Sequence, residues 1–217
     1  MKLAIFGATG ATGCCLMEQA LAQGYDVTAF ARNPHVLTTQ HAHLSVVTGD
    51  IFRLASVEEA VANQDAVLCT IGGHDRLRVA LSGRPRQLAL CTTGTRNVLD
   101  AMKKYGVSRL ICLSAWGIGD SKGRVPFVFK NVLFPLLMKD EYADKETQEQ
   151  LIEQSTLDWT IVRPSRLTNG PRTGSYRMKS SLEFSLQSSI SRADVADGML
   201  RQLTDQTFRQ KCLEMSY

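Results

Sequence analysis

No stretch of this chain is long and apolar enough to cross a bilayer as a helix. The longest candidate, residues 125–138, includes Lys130 and Asn131 and falls short of the ~20 residues that a crossing needs. The start, Met1-Lys2-Leu3-Ala4-Ile5-Phe6, lacks an apolar region of signal-peptide length and a small-residue cleavage site, so a cytoplasmic location is expected. None of the six cysteines (Cys14, Cys15, Cys69, Cys91, Cys112, Cys212) belongs to a C-x-x-C pair. Zinc and dithiol motifs therefore have no support, and reduced structural thiols are expected. His41 and His43 have no third ligand type beside them, so no metal is expected. Charge of one sign is in little excess: 25 Lys and Arg against 21 Asp and Glu leave +4. The isoelectric point near 8.8 lies below the range above ~9 typical of nucleic-acid-binding domains. A small anionic ligand accounts for that balance, and neither nucleic acid nor membrane is an expected partner. No repeat and no Gly/Ser/Pro-rich linker divides the 217 residues, which predicts a single domain over 1–217.

Short apolar runs at residues 3–6, 27–30, 44–47, 66–71, 110–113 and 159–162 predict strands. Residues 12–23, 56–63, 87–105 and 140–154 predict helices, with a last helix over 192–203 and a last strand near 211–215. Several strands have no polar face, which suits a parallel sheet covered on both sides. The alternation predicts an α/β, doubly wound parallel sheet. Two stretches resist assignment: residues 72–86, with four arginines beside Gly83 and Pro85, and residues 117–138, with Phe127, Phe129 and Phe134. Both follow strands at their carboxyl ends, where such sheets bind ligands, and both are candidate substrate-covering loops. Residues 125–138 could equally be a surface for a second subunit or ordinary core, leaving monomer and weak homodimer open.

Gly7-Ala8-Thr9-Gly10-Ala11-Thr12-Gly13 joins the first predicted strand to the first helix. Glycines there let the backbone turn and approach a diphosphate, and the unpaired N–H groups and positive dipole end of the helix favour phosphate. Thr9 and Thr12 add hydroxyl donors. The pattern predicts a dinucleotide site. Arg32 stands nineteen residues beyond Gly13, where an NAD-preferring site carries an acid against the ribose 2′-hydroxyl. A cation suits the 2′-phosphate of NADPH; a solvated surface charge is the plainer reading. Asp50 could accept from the adenine amino group, with Ile51 packing on the ring, or could cap the following helix. Ile71, Gly72 and Gly73 would pass bare backbone beside the coenzyme, with His74 either at its diphosphate or merely solvated.

The glycine motif, Gly49-Asp50, Ser114 after the fifth strand, Trp159-Thr160-Ile161-Val162-Arg163-Pro164 and Ser191-Arg192-Ala193-Asp194-Val195-Ala196 together resemble the atypical short-chain dehydrogenases of the NAD(P)H-binding, NmrA-like class. The likeness is greatest to its flavin reductase/biliverdin-IXβ reductase branch and runs from Lys2 to about Leu200. It implies a Rossmann fold, NADPH as coenzyme, and hydride transfer to a small planar acceptor such as FMN or a linear tetrapyrrole. It places Ser114 beside the nicotinamide and substrate, and Cys112 and Pro164 against the coenzyme. Trp116 and Ser114 fall among the substrate contacts. Lys145 and Arg166 fall near sites where that branch has pocket histidines, so both would hold an anionic acceptor, Lys145 with a catalytic part. A strand-end cap is the plainer role for Ser114.

The Tyr-x-x-x-Lys of classical short-chain dehydrogenases is missing: Glu146 stands four residues after Tyr142, and Lys145 only three. With Asp140, Glu141, Asp144 and Glu149 around Lys145, a solvated charged helix face is expected there. A flavin or bilin can accept hydride without a positioned tyrosine acid, which favours those acceptors over sugars. The missing motif also keeps open an NmrA-like NADPH-binding redox sensor or assembly factor that transfers no hydride.

Overall fold

The computed structural model describes residues 1–72, 89–125, 139–185 and 187–217. Gly73, His74 and the arginines of residues 76–86 lie outside the described residues, as do the three phenylalanines of the second loop. Strands β1 (Lys2–Phe6), β2 (Asp26–Ala31), β3 (Leu44–Thr48), β4 (Ala66–Cys69), β5 (Arg109–Leu113), β6 (Asp158–Pro164), β8 (Arg177–Lys179) and β10 (Lys211–Ser216) form one sheet in the order 3-2-1-4-5-6-10-8. All neighbours are parallel except β8, which runs antiparallel to β10. Short strands β7 (Arg166–Thr168) and β9 (Ser189–Ser191) make a second, two-stranded parallel sheet. The three-residue strands β7, β8 and β9 carry too few residues for a readable alternation; the expected doubly wound parallel sheet is present, with the antiparallel β8 added at its edge.

Helices cover both faces. On one side lie α1 (Ala11–Ala22) and α5 (Arg192–Arg201), whose Leu16, Met17, Ala20, Val195 and Met199 pack on Leu3, Ile5 and Ile111. On the other lie α2 (Leu54–Val61), α3 (Leu90–Tyr105) and α4 (Lys139–Glu153), against Ala4, Phe6, Val67, Leu110 and Ile161. Strands β1, β4 and β5 between them have nearly every side chain buried, as expected for a sheet with two covered faces. Helix α3 stops at Gly106, whose φ of +69° suits glycine in the left-handed region.

Helix α4 departs most from the sequence expectation. Its buried positions are Lys145, Gln148, Glu149 and Ile152, three of them polar. Each finds a partner on another element: Gln148 Nε2 donates to Thr95 Oγ1 at 2.8 Å. Glu149 brackets Arg163 through Nε at 3.0 Å and Nη2 at 2.7 Å, and Asp120 closes on the third nitrogen. Asp144 reaches α3 instead, accepting from the backbone of Cys91 at 2.8 Å and Thr92 at 2.9 Å. The charged face expected in solvent is thus the internal one, tolerable because every buried charge is paired or hydrogen-bonded.

β10 lies between β6 and β8. Its Glu214 is fully buried and accepts from Leu182 N at 2.6 Å and from Arg124 at 2.9 Å.

Candidate functional site

The sheet order reverses between β1 and β4, and doubly wound sheets place their ligand crevice at the carboxyl ends of such strands. The glycine turn leaves β1 at that point, and two of its three glycines, Gly7 and Gly13, are sterically required. Gly7 has φ +83°, and a Cβ there would stand 2.7 Å from Thr70 Oγ1 and 2.9 Å from Thr70 C. Gly10 donates to Gly7 O at 2.9 Å and occupies the N-cap of α1 without a side-chain cap. A Cβ on Gly13 would stand 2.0 Å from Gly7 O. No acid lies in the first turn of α1. Thr9, Gly10 and Ala11 are exposed at this helix start, whereas Thr12 turns into the core. The result is a bare, uncapped helix N-terminus, the chemistry that receives a phosphate. Thr70 Oγ1 donates to Phe6 O at 3.0 Å, pinning the turn from β4; as a lone polar residue after an apolar run, it carried no distinctive sequence signal.

Arg32 is exposed immediately beyond β2. Asp50 does not cap α2: Oδ1 accepts from Phe52 N at 3.1 Å in a local turn, while the helix begins after Arg53 with no side-chain cap. Ile51 is buried, with its carbonyl accepting from Asn97 Nδ2 at 2.7 Å. Ile71 is buried beside it. At Gly72 an added Cβ would meet only Thr70 O at 3.9 Å and Lys145 Nζ at 4.0 Å. Among the described residues nothing inside the fold demands glycine there.

At the end of β5, Ser114 N donates to Val162 O at 2.8 Å and Trp116 N to Pro164 O at 3.2 Å, carrying the strand's alignment with β6 past its last residue. Ser114 is 4% exposed. Its Oγ and the indole Nε1 of Trp116 are both buried and, among the described residues, without a hydrogen-bond partner. Trp116 meets Phe184 edge-on, centroids 4.9 Å apart at 81°, and Tyr142 Oη donates to the Trp116 carbonyl at 3.3 Å. Burial, with the Glu141 charge adding to it, pushes the Tyr142 phenol up to about 12, so it stays protonated at neutral pH. Tyr142 therefore belongs to the site instead of to a solvated helix face, and Phe184 joins it from a segment with no legible motif.

Lys145 corrects the expectation most directly. Its Nζ donates to Leu113 O at 3.2 Å and Ile71 O at 3.5 Å, beneath the strand ends instead of out in a pocket. Burial works against its charge, but the sulfurs of Cys91, Cys112 and Cys69 outweigh that and raise the ammonium above its usual value. It holds the β4 and β5 ends together, with Nζ 4.0 Å from where a Cβ on Gly72 would stand. Cys112 is likewise an interior thiol, 1% exposed, so a coenzyme contact from its side chain is not available. Pro164 is buried at the end of β6, while Arg166, two residues on, is exposed at the start of β7. All six cysteines are free thiols, as expected.

Glycine turn, Gly72, Ser114 and Trp116 thus share the carboxyl edge of the sheet. Among the described residues no helix is long and apolar enough to cross a membrane. A family profile described as NAD(P)H-binding matches residues 7–206. An uncharacterised chloroplastic protein of Arabidopsis thaliana is 29% identical over 223 residues, covering 99% of this chain and 76% of its own length. Among solved structures, ChuY of Escherichia coli, described as an anaerobillin reductase, superposes with a TM-score of 0.81 at 24% identity, over 99% of this chain and 96% of that one. A short-chain dehydrogenase/reductase of Veillonella parvula in complex with NADP superposes with a TM-score of 0.78 at 19% identity, over 100% and 94%.

Proposed function

Because the chain belongs to the NAD(P)H-binding family, we propose that it is an NADPH-dependent oxidoreductase transferring hydride to a planar conjugated acceptor, a flavin such as FMN or a linear tetrapyrrole. Bound NADPH supplies the hydride. Around it, the uncapped N–H groups after Gly10 receive the diphosphate, and Arg32 receives the 2′-phosphate through a charge-assisted hydrogen bond. Asp50 and Ile51 border the adenine, and Gly72 flanks the diphosphate and ribose.

The observation that carries this reading is the pair of buried donors without a partner among the described residues, Ser114 Oγ and Trp116 Nε1. A buried donor left unsatisfied costs about 1–3 kcal/mol, and two such donors two residues apart beyond β5 support an acceptor oxygen bound there. As hydride reaches a conjugated ring, negative charge moves onto its carbonyl oxygens, and fixed donors stabilise that charge without reorganising. Trp116, with Phe184 edge-on to it, supplies an apolar wall. Lys145 acts by positioning, fixing the Ile71 and Leu113 carbonyls, while Arg166 remains the exposed cation for a phosphate or propionate. The proton that follows the hydride comes from water. The E. coli structural relative's description as an anaerobillin reductase supports the tetrapyrrole side of this class.

The test mixes purified protein and NADPH with FMN or biliverdin and follows the loss of reduced-nicotinamide absorbance. Turnover with either is expected. Oxidation of NADPH by simple ketones alone would overturn the acceptor class, and tight NADPH binding with no turnover would favour the non-catalytic sensor or assembly factor.

A further inference from the structure

Three of the six cysteines converge at one point that the reaction above leaves unused. Cys69 ends β4, Cys112 lies in β5, and the two are paired directly in register, both in the core against α3 and α4. They are 2% and 1% exposed. Adjacent strands run about 4.8 Å apart, inside the roughly 4.4–6.8 Å range of Cα separations that a disulfide spans. Cys112 Sγ lies 3.9 Å from Leu113 O. Cys91 opens α3 with Sγ 3.8 Å from Ile71 O, and the Lys145 ammonium, bonded to that same carbonyl, faces all three sulfurs. Among the described residues no trio of Cys, His, Asp or Glu has metal-holding geometry. Ile71, two residues beyond Cys69, packs in the same cluster, and Gly72 follows it.

We propose that Cys69 and Cys112 are a dithiol that hydrogen peroxide oxidises to a disulfide beneath the coenzyme site, and that bound coenzyme shields it. The shielding rests on the coenzyme placement proposed above; the dithiol does not. The interaction with Cys112 draws the Cys69 thiol below its usual value, with the Lys145 charge adding to the effect. The same contact, then burial, raises Cys112 well above it. Cys69 serves as the attacking sulfur and Cys112 as the resolving one in this proposal. Cys69 sulfur attacks one peroxide oxygen, the O–O bond breaks, and hydroxide leaves and takes up a proton as water, giving a sulfenic acid. Cys112 sulfur then attacks Cys69 sulfur, passing its proton to the departing hydroxide, which leaves as the second water. Two thiols and one peroxide become one disulfide and two waters, the two electrons passing from sulfur to oxygen.

The experiment exposes the whole protein to hydrogen peroxide with and without NADP+, blocks remaining thiols, digests it, and maps linked peptides by mass spectrometry. The expected product joins the Cys69 and Cys112 peptides with the loss of two hydrogens and is reversed by dithiothreitol. It is absent from Cys69→Ser and Cys112→Ser and kept in Cys91→Ser. With NADP+ at about 100 times its Kd, about 1% of the protein is free, so linking should slow about a hundredfold. Wild-type protein that gives no Cys69–Cys112 link overturns the dithiol without recourse to any variant. Equal linking rates despite calorimetric binding of NADP+ overturn the shielding, whereas absence of NADP+ binding refutes the coenzyme placement and leaves the dithiol standing.

Discussion

Gly13→Ala sets two effects of opposite sign against each other. Gly13 lies in the first turn of α1, where alanine is about 1 kcal/mol more favourable than glycine on helix propensity alone. The new Cβ would stand 2.0 Å from the Gly7 carbonyl oxygen and 2.7 Å from its carbon. That obstacle is backbone, so no rotamer change relieves it, and the turn itself must shift. Overpacking costs about 1–3 kcal/mol; the upper end applies here, leaving a net loss of about 2 kcal/mol. In a domain of this size each kcal/mol moves Tm by about 2–4 °C, so the midpoint should fall by roughly 4–8 °C. Coenzyme affinity should fall with it, since the displaced turn is the phosphate cradle. Gly123→Ala is the control, having nothing within 4 Å of its added Cβ and an expected change within about ±0.5 kcal/mol. Calorimetric melting of the three proteins decides the matter: a Gly13→Ala variant melting at or above wild type would refute the close-approach reasoning.

Arg32→Ala should weaken NADPH by about tenfold to a hundredfold, the worth of a charged hydrogen bond of about 1.5–3 kcal/mol, and leave NADH nearly unchanged; titration calorimetry with both coenzymes checks this, and equal losses would remove Arg32 from the 2′-phosphate. Ser114→Ala should lower kcat by roughly a hundredfold, yet raise the unfolding free energy by about 1 kcal/mol, since a buried hydroxyl with no partner among the described residues is removed; unchanged turnover would take Ser114 out of the reaction. Acid should loosen the connection after β7. Burial works against the Asp194 charge, but hydrogen bonds from Tyr217, Gly174 and Thr173 outweigh it and hold the carboxyl below its usual value. Its contribution is therefore complete above the unfolded value of ~3.9 and fades as pH falls through the lower folded one. Asp194→Asn should flatten the pH dependence of urea unfolding in that acid window, and an unaltered slope would show that the carboxylate contributes nothing there.

The strands and helices that bury regular apolar faces were legible in the sequence, because periodicity reports burial directly: residues 3–6 and 110–113 fall inside β1 and β5. The glycine turn was legible for a related reason, since three glycines at a strand-to-helix junction answer steric demands that act within a few residues. Partners far apart in the chain were not. Lys145 sits among acids in sequence, but its acceptors are carbonyls 32 and 74 residues away, and Glu149 is matched by an arginine on β6. A helix whose inward face is charged imitates a solvated one until the elements that neutralise it are in place. Tyr142 was misread with it, and Phe184 gave no local signal because its role depends only on the tryptophan it meets.

The position of β10 bears on how the protein is made. A nascent chain can pair β1 to β6 while translation continues, yet the outer rim of β6 finds its mate only once synthesis has passed Ser216. Until then the rim offers a row of open backbone groups able to recruit another polypeptide. The Glu214 carboxylate, clasped by Arg124 and Leu182, then secures the closing strand to segments already folded. Interrupted translation is thus the stage at which this molecule is most exposed to aggregation.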